Sequence, residues 1–594
     1  MASKVIVIGG GVGGLTAAHE LAERGFDVTV FEGRPDWGGK ARSQPVPGTG
    51  TGGRKDLPGE HGFRFYPRFY QHVIDSMRRT PTATGGNVFE HLRPTTESAI
   101  AMNDRTTWYR FYRRQVTRPF EIISSLELFF QELDFDGPDI ALFTAKILEF
   151  LTASEERRIG EYERMSWWEF LEGDLFSPKF QRQLRAVPRT MVAMDPKRGS
   201  ARTVGQVSMQ LILDYADTGV TNDRTMGGPT SEMWIDPWVA HIASLGVTLR
   251  PGVRCTGIDV AAGAISAVHF SDGSTHTADH YVLAVPLDVV IPMITPAMGA
   301  LDPALERLRT AVVDDLVSWM VGIQYFLYED VPLVRGHTFY PDSPWALTSI
   351  SQPQFWRDLG LFRTRYGNGE VGGLLSVDIS DWDAPGALFN KPAKLCTRDE
   401  VAQEVWHQLK AGLNGAAPGD QVLTDAMMHS WHLDADLDYG GGSPPRNQAR
   451  LLIHPPGSRD IRPDAVTQIP NLVLASDYVR TNTDLASMEG ASEAGRRAVN
   501  GILLRTGSAA PRADVWPLVE PAQFHRAKQL DAWLYRRGKR HAFELLGIRN
   551  AAKAASWLRR LESAAGLARV DDWFDDNVRL SRIAQKVIAA IGLA

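Results

Sequence analysis

The sequence predicts an α/β fold on three observations. Its first forty residues run strand, glycine cluster, helix, strand. Two more short apolar runs, at 281–285 and 472–475, carry the unbroken pattern of strands buried on both faces. Between them, strand-like and helical stretches alternate instead of segregating into halves. At 594 residues the chain is about four times a ~150-residue domain, so two or three domains are expected.

Composition excludes whole classes. The chain is 43% hydrophobic and 23% charged, which supplies large cores and is incompatible with global disorder. With 64 Lys and Arg against 70 Asp and Glu, the net charge is -6, and no nucleic-acid partner is expected. Cys255 and Cys396 are the only cysteines, so a disulfide framework and a cysteine-based metal site are excluded and a reducing, cytoplasmic setting is expected. No targeting segment is expected, and no apolar stretch reaches the ~18 residues of a membrane span, so any membrane contact would be peripheral.

The elements follow in order. Lys4–Ile8 is the first buried strand. Residues 15–24 place Leu15, Ala18, Leu21 and Ala22 on one helix face, and Gly25 stands where that helix would stop. Asp27–Phe31 is the second strand, followed by Glu32. Residues 44–59, rich in Gly, Pro and Thr, read as a loop. Residues 100–172 are aromatic and mostly helical in pattern, broken at Gly137-Pro138 and Gly160. Strand patterns return over 246–286, with a turn at 271–274, and again at 319–327, 346–351 and 373–379. Thr397, followed three residues later by Glu400, opens a capped helix that runs to Leu413. Residues 489–504 read as a helix; Pro511, Pro517 and Pro521 mark a linker, and the remainder reads as helical to Ala594.

The chemistry starts at Gly9-x-Gly11-x-x-Gly14. Gly9 permits the tight turn, Gly11 lets the backbone approach a pyrophosphate, and Gly14, beside Gly13, allows close helix–strand packing. The helix N-terminus offers free N–H groups to the phosphates. Glu32 lies 18 residues beyond Gly14 and can accept hydrogen bonds from ribose hydroxyls. Strand, turn, helix, strand and acid in this order specify dinucleotide binding. Gly38 and Gly39 then bring in a second loop, and Arg42 sets a fixed charge against the phosphates. His432, Asp434, Asp436, Asp438 and Tyr439 have a spacing a metal site could use, but read better as a solvated loop; no metal is expected.

The pattern Gly38-Gly39-x-x-Arg42 resembles the flavin-binding region of the amine-oxidase and carotene-desaturase superfamily. Residues 59–70 resemble a segment of the plant and cyanobacterial phytoene and ζ-carotene desaturases, where a histidine, a short aromatic run and a Tyr-Pro pair follow the first βαβ unit. His61, Phe63 and Tyr66-Pro67 match that order, and Arg64 departs from it. A third block is close to the desaturase signature: Asp477 after a strand, then Leu-Ala-Ser-Met488-Glu489-Gly490-Ala491, with Ser476 where the family usually has Gly. Val253 and the Ala-Val-Pro286 strand end also fall in the family's order, so the resemblance spans about residues 4–505 and extends to hydroxysqualene-dehydroxylase-like proteins.

The resemblance implies FAD as cofactor. It implies a discontinuous Rossmann-type FAD-binding domain over 1–75, 225–300 and 445–507, a mixed α+β substrate domain over 76–224 and 301–444, and a helical C-terminal extension over 508–594. Val253 would contact adenine through its backbone. Asp477 would take ribityl or phosphate-side hydroxyls, and the helix opening near Met488, Glu489 and Ala491 would face the flavin N1/O2 edge, where its dipole stabilises the anionic reduced ring. Glu60, His61, Arg64 and Tyr66 are the catalytic candidates, facing flavin and substrate. The implied activity is oxidation of an apolar, polyisoprenoid or carotenoid-like substrate. Hydride passes to flavin N5, a proton leaves the neighbouring carbon, and quinone or oxygen is the electron acceptor. The alternatives are a hydroxysqualene dehydroxylase or polyene isomerase, an amine oxidase, and a non-catalytic membrane-associated flavin protein.

Aromatic residues outside these blocks, among them Trp108, Trp167, Trp168, Trp345 and Trp356, suit either a core or an apolar substrate tunnel. Residues 521–560 hold ten basic residues against two acidic ones, together with Phe524, Trp533, Leu534 and Trp557. Two readings of that segment stand: a basic amphipathic helix pair lying on anionic lipid, and a helical appendage packed on the body with a solvated basic face.

Overall fold

The computed structural model describes residues 2–103, 109–112, 137–192, 194–216, 223–415, 420–440 and 444–545. The chain forms two compact units. The first comprises Met1–Tyr112, Asp223–Ile453 and Ser458–Pro517; the second comprises Arg113–Asn222, His454–Gly457 and Leu518–Ala594. The sequence reading draws the boundaries otherwise. It sets 76–224 beside 301–444 and gives 508–594 a part of its own, whereas 113–222 groups with the C-terminal residues.

The first unit is built on a parallel five-stranded sheet. Its strands are β1 (Lys4–Ile8), β2 (Asp27–Phe31), β3 (Thr248–Arg250), β4 (His280–Leu283) and β5 (Leu472–Leu474), ordered β5-β4-β1-β2-β3. Apart from β1 and β2, neighbouring strands are far apart in sequence, so long stretches are inserted between them. Three helices matter for the site: α1 (Val12–Ala22), α2 (His72–Arg79) and α3 (Met488–Thr506). α1 and α3 cross at contact distance because glycines meet there. A Cβ on Gly495 would stand 2.7 Å from the Gly13 carbonyl oxygen, and Thr16 Oγ1 donates to Ser492 Oγ at 3.1 Å.

A seven-stranded sheet occupies the rest of this unit. Its order is Met428–Leu433, Val321–Leu327, Gly373–Ile379, Leu347–Ser351, Gly336–Phe339, Glu97–Ile100, Tyr109–Tyr112. Side chains alternate between its faces. Ile323, Tyr325, Leu375, Val377 and Leu347 share one apolar cluster with Val401, Val405 and Leu409 of the helix Arg398–Leu413. That helix carries the expected Thr397–Glu400 capping box. By strand register, the opposite face presents Gln324, Ser376, Asp378, Thr348 and His337. A small antiparallel sheet joins Phe65–Pro67, Asp223–Met226 and Leu92–Pro94.

Two expectations are corrected. Residues 508–517 are a strap pinned to the first unit. Pro511 O accepts from Arg24 Nε at 2.7 Å, Ala513 exchanges hydrogen bonds with Asn500 at 2.8 Å, and Trp516 N donates to His72 Nε2 at 3.0 Å. Prolines signalled a linker because they suit any extended segment. The second correction concerns 432–439. His432 lies in a sheet strand, and Asp434 and Asp436 are buried; of the three aspartates only Asp438 is exposed.

The second unit is helical where described: Gly137–Thr152, Glu155–Gly160, Trp167–Leu171, Pro178–Val192, Ala201–Ala216 and His525–Tyr535 are its larger helices. The last of these is seated by Asp531, whose carboxylate accepts from Ser154 N and Ser154 Oγ at 2.8 Å and from Arg157 Nε at 2.9 Å. Its Leu530 and Trp533 stay exposed, as does Arg537 just beyond its end. The remaining basic residues of the tail, from Arg549 on, lie outside the described residues, as does Trp108. Among the described residues no helix is long and apolar enough to cross a membrane.

Candidate active site

The glycine turn behaves as its spacing requires. Gly9 has φ +109° and a Cβ there would stand 2.4 Å from Ala284 O. A Cβ on Gly14 would stand 1.9 Å from Gly9 O, and one on Gly13 2.1 Å from Ala475 O. Gly11 differs: a Cβ there would meet only Gly39 Cα, at 3.8 Å, so the outer side of the turn is open. Gly11 is also the N-cap of α1 and makes no side-chain cap. The first-turn N–H groups of a helix have no partner within it, so they face this open side. Gly38 and Gly39 pack onto the turn, Gly38 N donating to Gly10 O at 2.9 Å.

Glu32 follows β2, buried against the turn. Its Oε2 accepts from Gly10 N at 2.7 Å and its Oε1 from Arg34 N at 2.8 Å. Val253 N donates to the Glu32 carbonyl at 2.8 Å, so that amide is used within the fold. Arg42 is not a free charge: it pairs bidentately with Asp436, at 2.9 and 3.2 Å, and the same carboxylate takes Arg34 Nη1 at 2.6 Å.

At the other end, Asp477 follows β5, half-buried, and accepts from Ser476 Oγ at 3.2 Å. Met488 and Ala491 lie in the first turn of α3, which Ser487 caps by accepting from Gly490 N at 3.1 Å. Glu489 departs from the expected role in its side chain. Its carboxylate caps α2, Oε1 taking Gln71 N at 2.6 Å and His72 N at 2.8 Å, Oε2 taking Val73 N at 3.0 Å.

The four catalytic candidates lie between the turn and the polar face of the seven-stranded sheet. Glu60 is buried; its Oε1 takes Ser43 Oγ at 2.6 Å and Thr230 N at 2.8 Å, while Oε2 has no hydrogen-bond partner. Burial lifts its carboxyl above the usual range, against the pull of Arg64, whose Nη2 is 3.8 Å away. Arg64 reaches back to Gly62 O at 2.7 Å and Lys40 O at 2.8 Å, leaving Nε without a partner. Tyr66 is wholly buried against Trp234, its hydroxyl unpartnered and, by burial, far less acidic than an ordinary phenol. His61 keeps a side-chain exposure of 14% and hands Nδ1 to Asp434 Oδ2.

Sequence reasoning takes Asp434 and Asp436 for part of a solvated loop and passes over Asp378. Asp434 also accepts from Gln44 Nε2 at 2.6 Å and Asp436 N at 2.9 Å. Burial would raise its carboxyl, but His61 and these donors hold it down at about 2. Asp378, from the sheet, sits against Gly62, where a Cβ would stand 2.4 Å from its Oδ1, which has no hydrogen-bond partner. Burial pushes it up to about 7 despite Arg64. Phe63 and Phe65 frame His337 of the same sheet face, at ring distances of 5.1 and 4.7 Å. The spacing of Asp434 and Asp436 is visible locally, but their partners His61, Gln44, Arg34 and Arg42 lie far away in sequence, as does Gly62, against which Asp378 sits. His61, Asp434 and Asp436 also meet the spacing of a metal cluster. The Arg34 and Arg42 guanidiniums on Asp436 oppose a divalent cation there.

A model of the flavin containing amine oxidoreductases matches residues 12–503. The chain belongs to that family. A carotenoid phi-ring synthase of Streptomyces griseus is 36% identical over 521 residues, 85% of this chain and 89% of that one. A hydroxysqualene dehydroxylase of Rhodopseudomonas palustris is 24% identical, covering 85% and 99%. Among solved structures, the cyclohexylamine oxidase of Brevibacterium oxydans IH-35A superposes with TM-score 0.54 at 16% identity, over 85% of this chain and all of that one, and establishes the fold. The protein is an FAD-dependent oxidoreductase. The open side of Gly11, the uncapped start of α1 and the orphaned Glu60, Arg64 and Tyr66 atoms suit a bound dinucleotide with a polar ring system.

Proposed function

We propose that the protein oxidises an apolar, polyisoprenoid or carotenoid-like substrate. The observation that carries this is the aromatic frame of Phe63, Phe65 and His337 between the glycine-turn segment and the sheet. The names of the relatives support it: one is a carotenoid phi-ring synthase, one a hydroxysqualene dehydroxylase. Bound FAD supplies the hydride acceptor.

The residues divide the work. Gly9, Gly11, Gly13 and Gly14, with the start of α1, receive the diphosphate, and Glu32 and Val253 the adenosine side. Gly38 and Gly39 close the turn, while Arg42 lends a charge already shared with Asp436. Asp477 and the α3 start hold the flavin side. Glu60, Arg64 and Tyr66 fix the buried polar wall, and Phe63, Phe65 and His337 keep water from the reacting carbon. Residues 1–75, 225–300 and 445–507 would form the cofactor part and 301–444 the roof over it.

The exposed Leu530 and Trp533, with Arg536, Arg537 and Arg540 beside them, suit loading from an anionic lipid surface. Quinone or oxygen would serve as the electron acceptor.

The test is product analysis. Purified protein is incubated with detergent-dispersed linear C30 and C40 isoprenoids, and separately with primary amines, and the extracts are analysed by mass spectrometry. A new double bond in an isoprenoid supports the reading. A lipid altered without oxidation favours the dehydroxylase or isomerase alternative, and oxidation of amines alone contradicts it.

A further inference from the structure

Removing two hydrogens from neighbouring carbons leaves a proton to be placed, and an apolar cavity offers no water to take it. Four groups near the aromatic frame could receive it. Tyr66 is wholly buried and barely acidic. Glu60 and Asp378 are buried, and Glu60 has one oxygen already committed to Ser43 and Thr230. His61 is different: its ring keeps an exposed edge while Nδ1 is held from behind.

What holds it is built for the purpose. Asp434 is 1% exposed and fixed by Gln44 Nε2 and Asp436 N, so it cannot follow the ring if the ring turns. Its charge fixes the tautomer with hydrogen on Nδ1, which leaves the Nε2 lone pair as the ring's acceptor. The His61 backbone is fixed too, its carbonyl accepting from Gly322 N at 2.7 Å. The charged groups around the pair are Asp436, whose charge Arg34 and Arg42 share, and His432, which burial drives down to about 4 and so leaves neutral. Asp434 therefore remains the counter-charge for an imidazolium at His61.

Resting on the oxidoreductase reading above, we propose that His61 accepts the proton released by the substrate and that Asp434 is its positioning residue. One substrate C–H bond breaks with its electron pair passing to the oxidised flavin. The neighbouring C–H gives its proton to His61 Nε2, and its electron pair becomes the new C=C bond. The imidazolium faces Asp434 until the exposed edge returns the proton to solvent.

The test uses the FAD-bound protein and the variants Asp434→Asn, Asp434→Glu and His61→Gln, each checked for bound flavin and for its melting curve. Anaerobic flavin bleaching by isoprenoid is followed against pH. Asp434→Asn removes the counter-charge of the imidazolium and should slow bleaching and move its acidic limb to lower pH, with Asp434→Glu restoring part of both. His61→Gln should slow bleaching by roughly 100-fold or more and abolish that limb. Variants that bleach at the wild-type rate with an unchanged limb would overturn the proposal alone. A wild-type flavin that no isoprenoid bleaches would overturn the substrate reading, and the proton step with it.

Discussion

The Asp434 carboxylate accepts the Nδ1 hydrogen of His61 across 373 residues of sequence. Two residues on, Asp436 grips Arg34 and Arg42. A single turn after a sheet strand thus ties down both segments that border the glycine loop, one through an imidazole and one through two guanidiniums.

Removing the second grip leaves two cations facing each other. Asp436→Asn should destabilise the apoprotein by about 3 kcal/mol, the range for breaking a largely buried ion pair. Denaturant melts of apoprotein and FAD-bound protein check this, and the loss should be smaller with FAD, whose diphosphate supplies negative charge. Equal melts for variant and wild type would contradict it.

Two glycines in one turn should fail differently. Gly13→Ala puts a Cβ 2.1 Å from Ala475 O, so the α1–β5 packing breaks and the protein should not fold stably. Gly11→Ala meets nothing closer than 3.8 Å, and its φ of -77° suits alanine. That variant should melt like wild-type apoprotein yet lose FAD, as read by flavin absorbance after gel filtration. FAD retained in Gly11→Ala would remove the diphosphate from this turn.

Asp378 makes stability depend on pH. An ordinary aspartate carboxyl titrates at 3.8, and burial lifts this one to about 7 in the fold. The native state therefore holds the extra proton between those values, and stability falls as pH rises from about 4 to about 7. The loss is of order 4 kcal/mol when complete. Asp378→Asn should be more stable than wild type at pH 8 and equal to it near pH 4. A pH-independent difference in urea melts would contradict this.

Glu489 should matter through α2. Glu489→Ala leaves three backbone N–H groups without their acceptor, at about 1 kcal/mol or more each. Glu489→Gln keeps one acceptor oxygen and should lose less. Thermal melts of the two variants distinguish capping from a purely cofactor-directed role.

What the sequence made legible was local. Gly9 to Gly14 and Glu32 lie within one βαβ unit, and Thr397 and Glu400 within one helical turn, so spacing alone identifies them. The strands at 281–285 and 472–475 were legible because both-face burial leaves an unbroken apolar run. Asp434, Asp436 and Asp378 were not, since charged residues in a polar stretch look solvated until the fold brings His61, Arg42 and Gly62 to them. Glu489 was assigned to the cofactor by the family order of its neighbours, and its carboxylate is claimed by a helix start more than 400 residues earlier.

The most direct measurement is anaerobic. The FAD-bound protein is mixed with detergent-dispersed C30 and C40 isoprenoids while the visible flavin band is recorded, and the lipid is then extracted. The account predicts bleaching of the band in step with one new double bond per flavin reduced. A band that persists with every isoprenoid but bleaches with an amine would contradict it.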